Sequence, residues 1–174
     1  MSNEIQFDWQ ALKETRLTKR ENPTPFNPAA TPDMIEQRLA RVLGVLIPQQ
    51  LQESLLMHDG ITDRRGEFYQ GLGPGSIEWI IRAWRDDRKR EAEAADEGDQ
   101  WIKPPTLIPV FHDATAHCEI YIDSLDGTMK YYDPARHAFW DYVYPSYSAM
   151  LRDILWHMQN DCQWEWGFRM TRPV

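Results

Sequence analysis

Two cysteines in 174 residues, Cys118 and Cys162, are too few and too far apart for a disulfide framework or a zinc ribbon. Basic residues are scarce as well: 19 Lys and Arg stand against 27 Asp and Glu, a formal charge of -8. Binding along a nucleic-acid backbone needs clustered cations that displace counterions, so direct nucleic-acid binding is not expected. The same acidity suits a basic protein partner. No run approaches the ~18 apolar residues of a membrane span. The opening "MSNEIQFDWQALKETRLTKR" lacks a basic stretch followed by a long apolar one, so the chain is expected to be soluble and cytoplasmic. GxSxG, P-loop, dinucleotide and HExxH motifs are missing too. "GLGPG" reads as a turn, because the Lys and Ser/Thr of a phosphate cradle do not follow it.

What is present is the composition of a folded chain: 42% apolar residues and eight tryptophans, at a length suited to one core. Residues 1–30 read as an N-terminal arm and a Pro-rich linker. Phe7, Ala11, Leu12 and Leu17 are only loosely helical in spacing, and "RENPTPFNPAATP" holds four prolines within ten residues. A single domain is expected over 31–174, with an aromatic C-terminal extension. Thr31, followed by Pro32, opens a helix with Ile35, Leu39, Val42 and Leu43 on one stripe and Gly44 at its end. A second helix after Pro48 carries Leu51, Leu55 and Leu56 and stops at Asp59-Gly60. Ser76 caps a third, whose apolar face is Ile77, Ile80, Ile81 and Trp84 and whose charged end, "RDDRKREAEAADEGD", is expected to be solvated.

From residue 105 the apolar period changes from 3.6 to 2. "TLIPVF", "CEIYID", "TMKYY" and "AFWDYVY" predict an antiparallel meander. Asp126-Gly127 predicts a two-residue hairpin turn that pairs Leu125 with Thr128, sets Asp123 opposite Lys130 and sets Ile122 opposite Tyr131. Ser146 caps a last helix through Met150, Leu151, Ile154 and Leu155, and "QWEWGFRM" alternates like one more half-buried strand. Helices, then strands, then a helix indicate an α+β fold with an antiparallel sheet flanked by helices.

The densest chemistry lies in "FHDATAHCEIYIDSLDGTMKYYD", residues 111–133. His112, Asp113, His117 and Cys118 are metal-ligand types, but their spacing does not make one tetrahedral site on a single helix or strand, so neither a metal nor a cofactor is expected. Glu119 and Asp123 share a strand face, yet Asp123 gains a lysine neighbour and nothing requires the desolvated carboxyl that acid/base work needs. Cys118 falls on the face of Ile120 and Ile122, which predicts a buried, inert thiol. The aromatic excess, Trp101, Tyr131, Tyr132, Trp140, Tyr142, Tyr144 and Tyr147 among it, fits either a core or an interface. The hairpin acids are expected to face solvent. Glu119, Tyr121, Asp123, Asp126, Tyr132 and Asp133 are therefore the candidate partner-binding residues, and no catalytic residue is assigned.

One segment carries a family likeness. "IEQRLARVLGVLIPQQLQESLLMHDGI", residues 35–61, resembles the opening of the SUKH superfamily in its Smi/Knr-type branch: a helix ending at Leu43-Gly44-Val45, the Ile47-Pro48 pair, and a second helix running into His58-Asp59-Gly60. "GPGSIEWIIRAW" resembles that family's loop and following helix, "LIPVFHD" its apolar-Ile-Pro strand, "EIYIDSLDGTMKYYD" its acidic hairpin and "YPSYSAMLRDIL" its closing helix. The likeness spans residues 32–156. Two places depart from it: "DATAHC" replaces a glycine-rich turn, and Ile47 replaces the leucine before the proline. The resemblance implies an antiparallel sheet flanked by helices, no catalytic residues, and the role of an immunity protein that binds and neutralises a cognate polymorphic toxin, a basic nuclease being the charge-matched case. A regulator of the fungal cell-wall type, or a small metal or thiol enzyme using His112 to Cys118, are the alternatives.

Overall fold

The computed structural model describes residues 4–19, 25–61, 68, 72–96, 103–113, 119–133, 138–139 and 144–161. In chain order these form α1 (Glu4–Lys19), a π-helical segment (Met34–Ala40) running straight into α2 (Arg41–Leu43), α3 (Gln49–Met57), β1 (Leu72–Pro74), α4 (Ile77–Asp96), β2 (Leu107–Asp113), β3 (Glu119–Asp123), β4 (Met129–Asp133), β5 (Ala138–Phe139) and α5 (Tyr147–Gln159). The fold is α+β. Its sheet is an antiparallel meander in the order β1-β2-β3-β4-β5.

The helix starts follow from their capping residues. Thr31 Oγ1 accepts from Met34 N at 3.2 Å, Ser76 Oγ from Trp79 N at 3.2 Å, and Ser146 Oγ from Ala149 N at 3.1 Å. Gly44 ends α2 at φ 67°, a left-handed conformation that costs an L side chain energy and a glycine nothing. Helices and sheet meet over one continuous core. Ile108, Phe111, Ile120, Ile122 and Met129 line the covering face of the sheet, opposed by residues of all the helices, including Ile35, Leu39, Leu51, Leu55, Ile80, Leu151 and Ile154. Ile108 and Phe111 reach that face together although they are an odd number of residues apart. A bulge between Pro109 and Phe111 resets the alternation, at a place where proline has no N–H to give the ladder.

Three expectations need correction. The described part of residues 1–30 is not an appended arm and linker, because Ile5, Trp9 and Leu12 of α1 are fully buried in the same core. The proline stretch is strapped down as well: Asn27 N donates to Gly60 O at 3.0 Å, Asp59 N to Pro28 O at 3.0 Å, and Ala30 N to Leu55 O at 2.9 Å. Backbone groups that the prolines keep out of a helix here find their partners in the body of the domain, two as donors and one as acceptor. "GLGPG" is more than a turn, since Leu72–Pro74 pairs with β2 as an edge strand, where a proline is tolerated. The hairpin register is off by two residues: Tyr121 lies opposite Lys130 and Ile122 opposite Met129, around a four-residue connection, 124–127. Only Gly127 there has positive φ, 75°, so the two-residue turn that needs it at both positions does not form. A shift of two keeps every side chain on its expected face. "QWEWGFRM" and Cys162 lie outside the described residues.

Trp9 joins α1 to everything around it. Its Nε1 donates to Ser54 Oγ of α3 at 2.9 Å, and that hydroxyl lies 3.2 Å from Tyr147 OH of α5. Its ring meets Phe26, His58, Phe68 and Phe111 at centroid distances of 5.7, 4.3, 5.5 and 6.4 Å. Trp9→Ala should therefore destabilise the chain by about 3–5 kcal/mol, read as a lowered midpoint in urea unfolding. A loss under ~1 kcal/mol would show that α1 is dispensable to the core.

Candidate functional site

Two backbone features build the β3–β4 hairpin, on which all six candidate residues stand. Asp123 N donates to Thr128 O at 2.9 Å, and Gly127 N returns to Asp123 O at 2.9 Å. The acids then complete the turn with their side chains. Asp123 Oδ1 accepts from Leu125 N at 3.1 Å, and Asp126 Oδ1 accepts from Thr128 N at 2.8 Å and from its hydroxyl at 2.7 Å. The Thr128 hydroxyl, and next its N–H, hold the Asp126 carboxyl below the usual carboxylate range.

This geometry divides the candidates. Asp126 is exposed beside Leu125, so the hairpin tip keeps its charge in solvent. Asp123 does not face solvent: it is buried, and its Oδ2 takes Lys130 Nζ at 2.7 Å. Tyr121 and Tyr132 are also buried, packed with Leu107 in a small second core on the other side of the sheet. These three are therefore occupied in folding and are withdrawn as partner contacts. The side chains of Glu119 and Asp133 lie outside the described residues.

What buries Tyr121 is a polar knot that the sequence did not announce. Lys103, 1% exposed, sends Nζ to Asp87 Oδ1 of α4 at 2.6 Å and to the Tyr121 hydroxyl, which itself donates to Asp87 Oδ2 at 3.0 Å. Nζ also lies 4.6 Å from the ring centroids of both Tyr121 and Tyr132. One turn along α4, Glu91 Oε1 accepts from Lys103 N at 2.6 Å and Arg88 donates to Lys103 O at 3.1 Å. A lysine beside a tyrosine and a carboxylate is a familiar proton-handling set, but all three are sealed from solvent. A charge enclosed with its counter-ion and hydrogen bonds acts as a structural clamp. The "solvated" half of α4 is thus pinned at Asp87, which is 2% exposed.

His112 packs against Trp79 at 5.4 Å between ring centroids, and a side chain at Gly73 would strike its ring at 2.5 Å. The glycine of "GLGPG" makes room for that ring. Among the described residues no group of three or more His, Cys, Asp or Glu is placed to hold a metal ion. His117 and Cys118 lie outside them.

His58-Asp59-Gly60 carries three separate jobs. Asp59 does more than stop α3: its Oδ1 accepts from Ile77 N at 2.6 Å, capping α4 from 18 residues upstream. Burial nevertheless pushes the Asp59 carboxyl above its ordinary value. Gly60 sits at φ 66°, where a Cβ would lie 2.4 Å from Ser76 N. His58 is boxed between Trp9, at 4.3 Å, and Phe26, at 4.2 Å, and neither ring nitrogen has a hydrogen-bond partner among the described residues. Sequence reading also missed an apolar groove beside Leu46, a residue 79% exposed. Its only signal was the third apolar residue in "GVLIP", of which Ile47 alone is buried and Val45 half-buried.

In comparisons with known proteins, no protein-family model matches this chain and no curated protein matches it.

Burial, and then the Lys13 charge, lower the pKa of His58 from 6.5 to about 3. Below pH 6.5 the unfolded chain takes up a proton that the folded chain refuses, so stability is intact above 6.5 and falls as pH falls toward 3. Between pH 7 and pH 5 the loss from this one group should be about 2 kcal/mol. His58→Phe should remove that increment in urea unfolding at the two pH values; an unchanged acid sensitivity would contradict it.

Proposed function

We propose that this chain is a non-catalytic immunity protein that binds a cognate toxin and neutralises it in the producing bacterium. One observation carries the reading. Over residues 34–159 the fold runs as a helix over 34–43, a second over 49–57, a short edge strand over 72–74, a third helix over 77–96, an antiparallel meander over 107–133 and a closing helix over 147–159, and an antiparallel sheet flanked by helices is what the SUKH resemblance implies. The residues that carry the resemblance also have physical work in that order. Gly44 ends a helix in the left-handed region, Asp59 caps α4, and Gly60 lets two backbones touch.

The chemistry favours binding over turnover. Tyr121, Lys103, Asp87 and Asp123 are spent on internal pairing, and the exposed hairpin acid, Asp126, is a surface charge rather than a desolvated acid or base. A net charge of -8 supports a basic toxin as the partner, with fast association that weakens as salt rises.

Co-expression gives the test. Cells making the product of the adjacent upstream reading frame should stop growing, and the chain should restore growth and co-purify with that product. Growth arrest that the chain fails to relieve would sink the reading.

A further inference from the structure

The π-helical segment, the turn after Gly44 and α3 enclose an open groove of about 330 Å³ whose walls include Ile35, Glu36, Ala40, Leu46, Ile47 and Leu56. Its size is at the low end for ligand sites, enough for one bulky side chain and too small for a nucleotide cofactor. Its walls are mostly apolar. A lone exposed leucine means little on a convex surface, but Leu46 lines a concavity in which Ile35 and Ile47 are buried and Ala40, Val45 and Leu56 half-buried. Ala40, the smallest wall residue, leaves the space open where a larger side chain would fill it.

Charge adds direction. Glu36 is the one charged residue of the lining; it is exposed and makes no ion pair within the described residues. Two residues on, Arg38 is already taken by Glu78 at 2.5 Å, and Arg41, whose N–H donates to Glu36 O one π-turn on, makes no ion pair with Glu36 among the described residues. An apolar slot with a single unpaired carboxylate at its edge is the complement of an aromatic or long aliphatic anchor flanked by a base.

We propose that this groove docks a bulky apolar side chain of a basic protein segment, a Phe, Trp or Leu flanked by Lys or Arg whose charge meets Glu36. The assignment rests on reading the chain as a protein that binds a protein partner, and it names the surface and the partner's chemistry.

Methyl NMR on the full chain tests it with two short peptides, Ac-Arg-Phe-Arg-NH2 and Ac-Glu-Phe-Glu-NH2. The basic peptide should shift the methyls of Ile35, Leu46, Ile47 and Leu56 saturably and bind roughly fivefold more tightly than the acidic one. Glu36→Gln should erase that preference while leaving the free protein's methyl spectrum unchanged, and Ala40→Leu should abolish both titrations. Absence of groove shifts, or equal affinity for the two peptides, would overturn the proposal. So would methyl shifts that depend on protein concentration without peptide, since they would make a second copy the occupant. If the peptide result holds and growth is not restored in the co-expression test, the toxin reading falls alone. If growth is restored and the peptides do not bind, the groove assignment falls alone.

Discussion

The hydrogen bond from the Trp9 indole to Ser54, continued to Tyr147, is the constraint on which the helical layer depends. It joins α1, α3 and α5 at one buried point, and the indole ring there also touches Phe111 of β2, so sheet and helices share the contact. A second link runs beside it: Asp8 accepts from the Ser148 hydroxyl and, at 3.0 Å, from Arg152 Nε, fixing α1 along α5. Because Phe26 and His58 lean on the same indole, the proline stretch and the end of α3 are held by it too. Remove the ring and a cavity opens where five segments meet.

That dependence explains what could be read from the sequence and what could not. Caps at Thr31, Ser76 and Ser146 were legible because a capping side chain acts within one turn of its own position. Strand faces were legible because alternation survives a register error of two. The register itself was not, since Asp123 and Asp126 fold the connection with their own carboxylates and leave one positive φ where two were expected. Nor was the place of α1, whose apolar residues are spaced loosely; Trp9 matters through partners 45 and 138 positions away in the chain. Tyr121 and Tyr132 gave no sign of burial on the outer face, because the lysine that covers them comes from outside the hairpin.

The same logic reshapes the functional picture. A run rich in acids, tyrosines and histidines reads as an active site or a binding face, yet here Asp123 and Asp126 close the turn, Asp123 pairs with Lys130, and Tyr121 shares a buried cation with Tyr132. Among the described residues, two surface features set an apolar residue beside an exposed carboxylate: the Leu125-Asp126 tip and the groove beside Leu46 with Glu36 in its lining. Such pairings suit recognition of another chain, where a small apolar anchor supplies affinity and charge supplies orientation and rate.

Native-state hydrogen exchange of the Trp9 indole N–H tests the central role of that ring most directly. If α1 is part of the cooperative core, the indole proton should exchange only by global unfolding, with the same opening free energy and urea dependence as the slowest amides of β3. An indole proton that exchanges through a smaller, urea-insensitive opening would mean that α1 lifts away on its own, and that the domain does not depend on it.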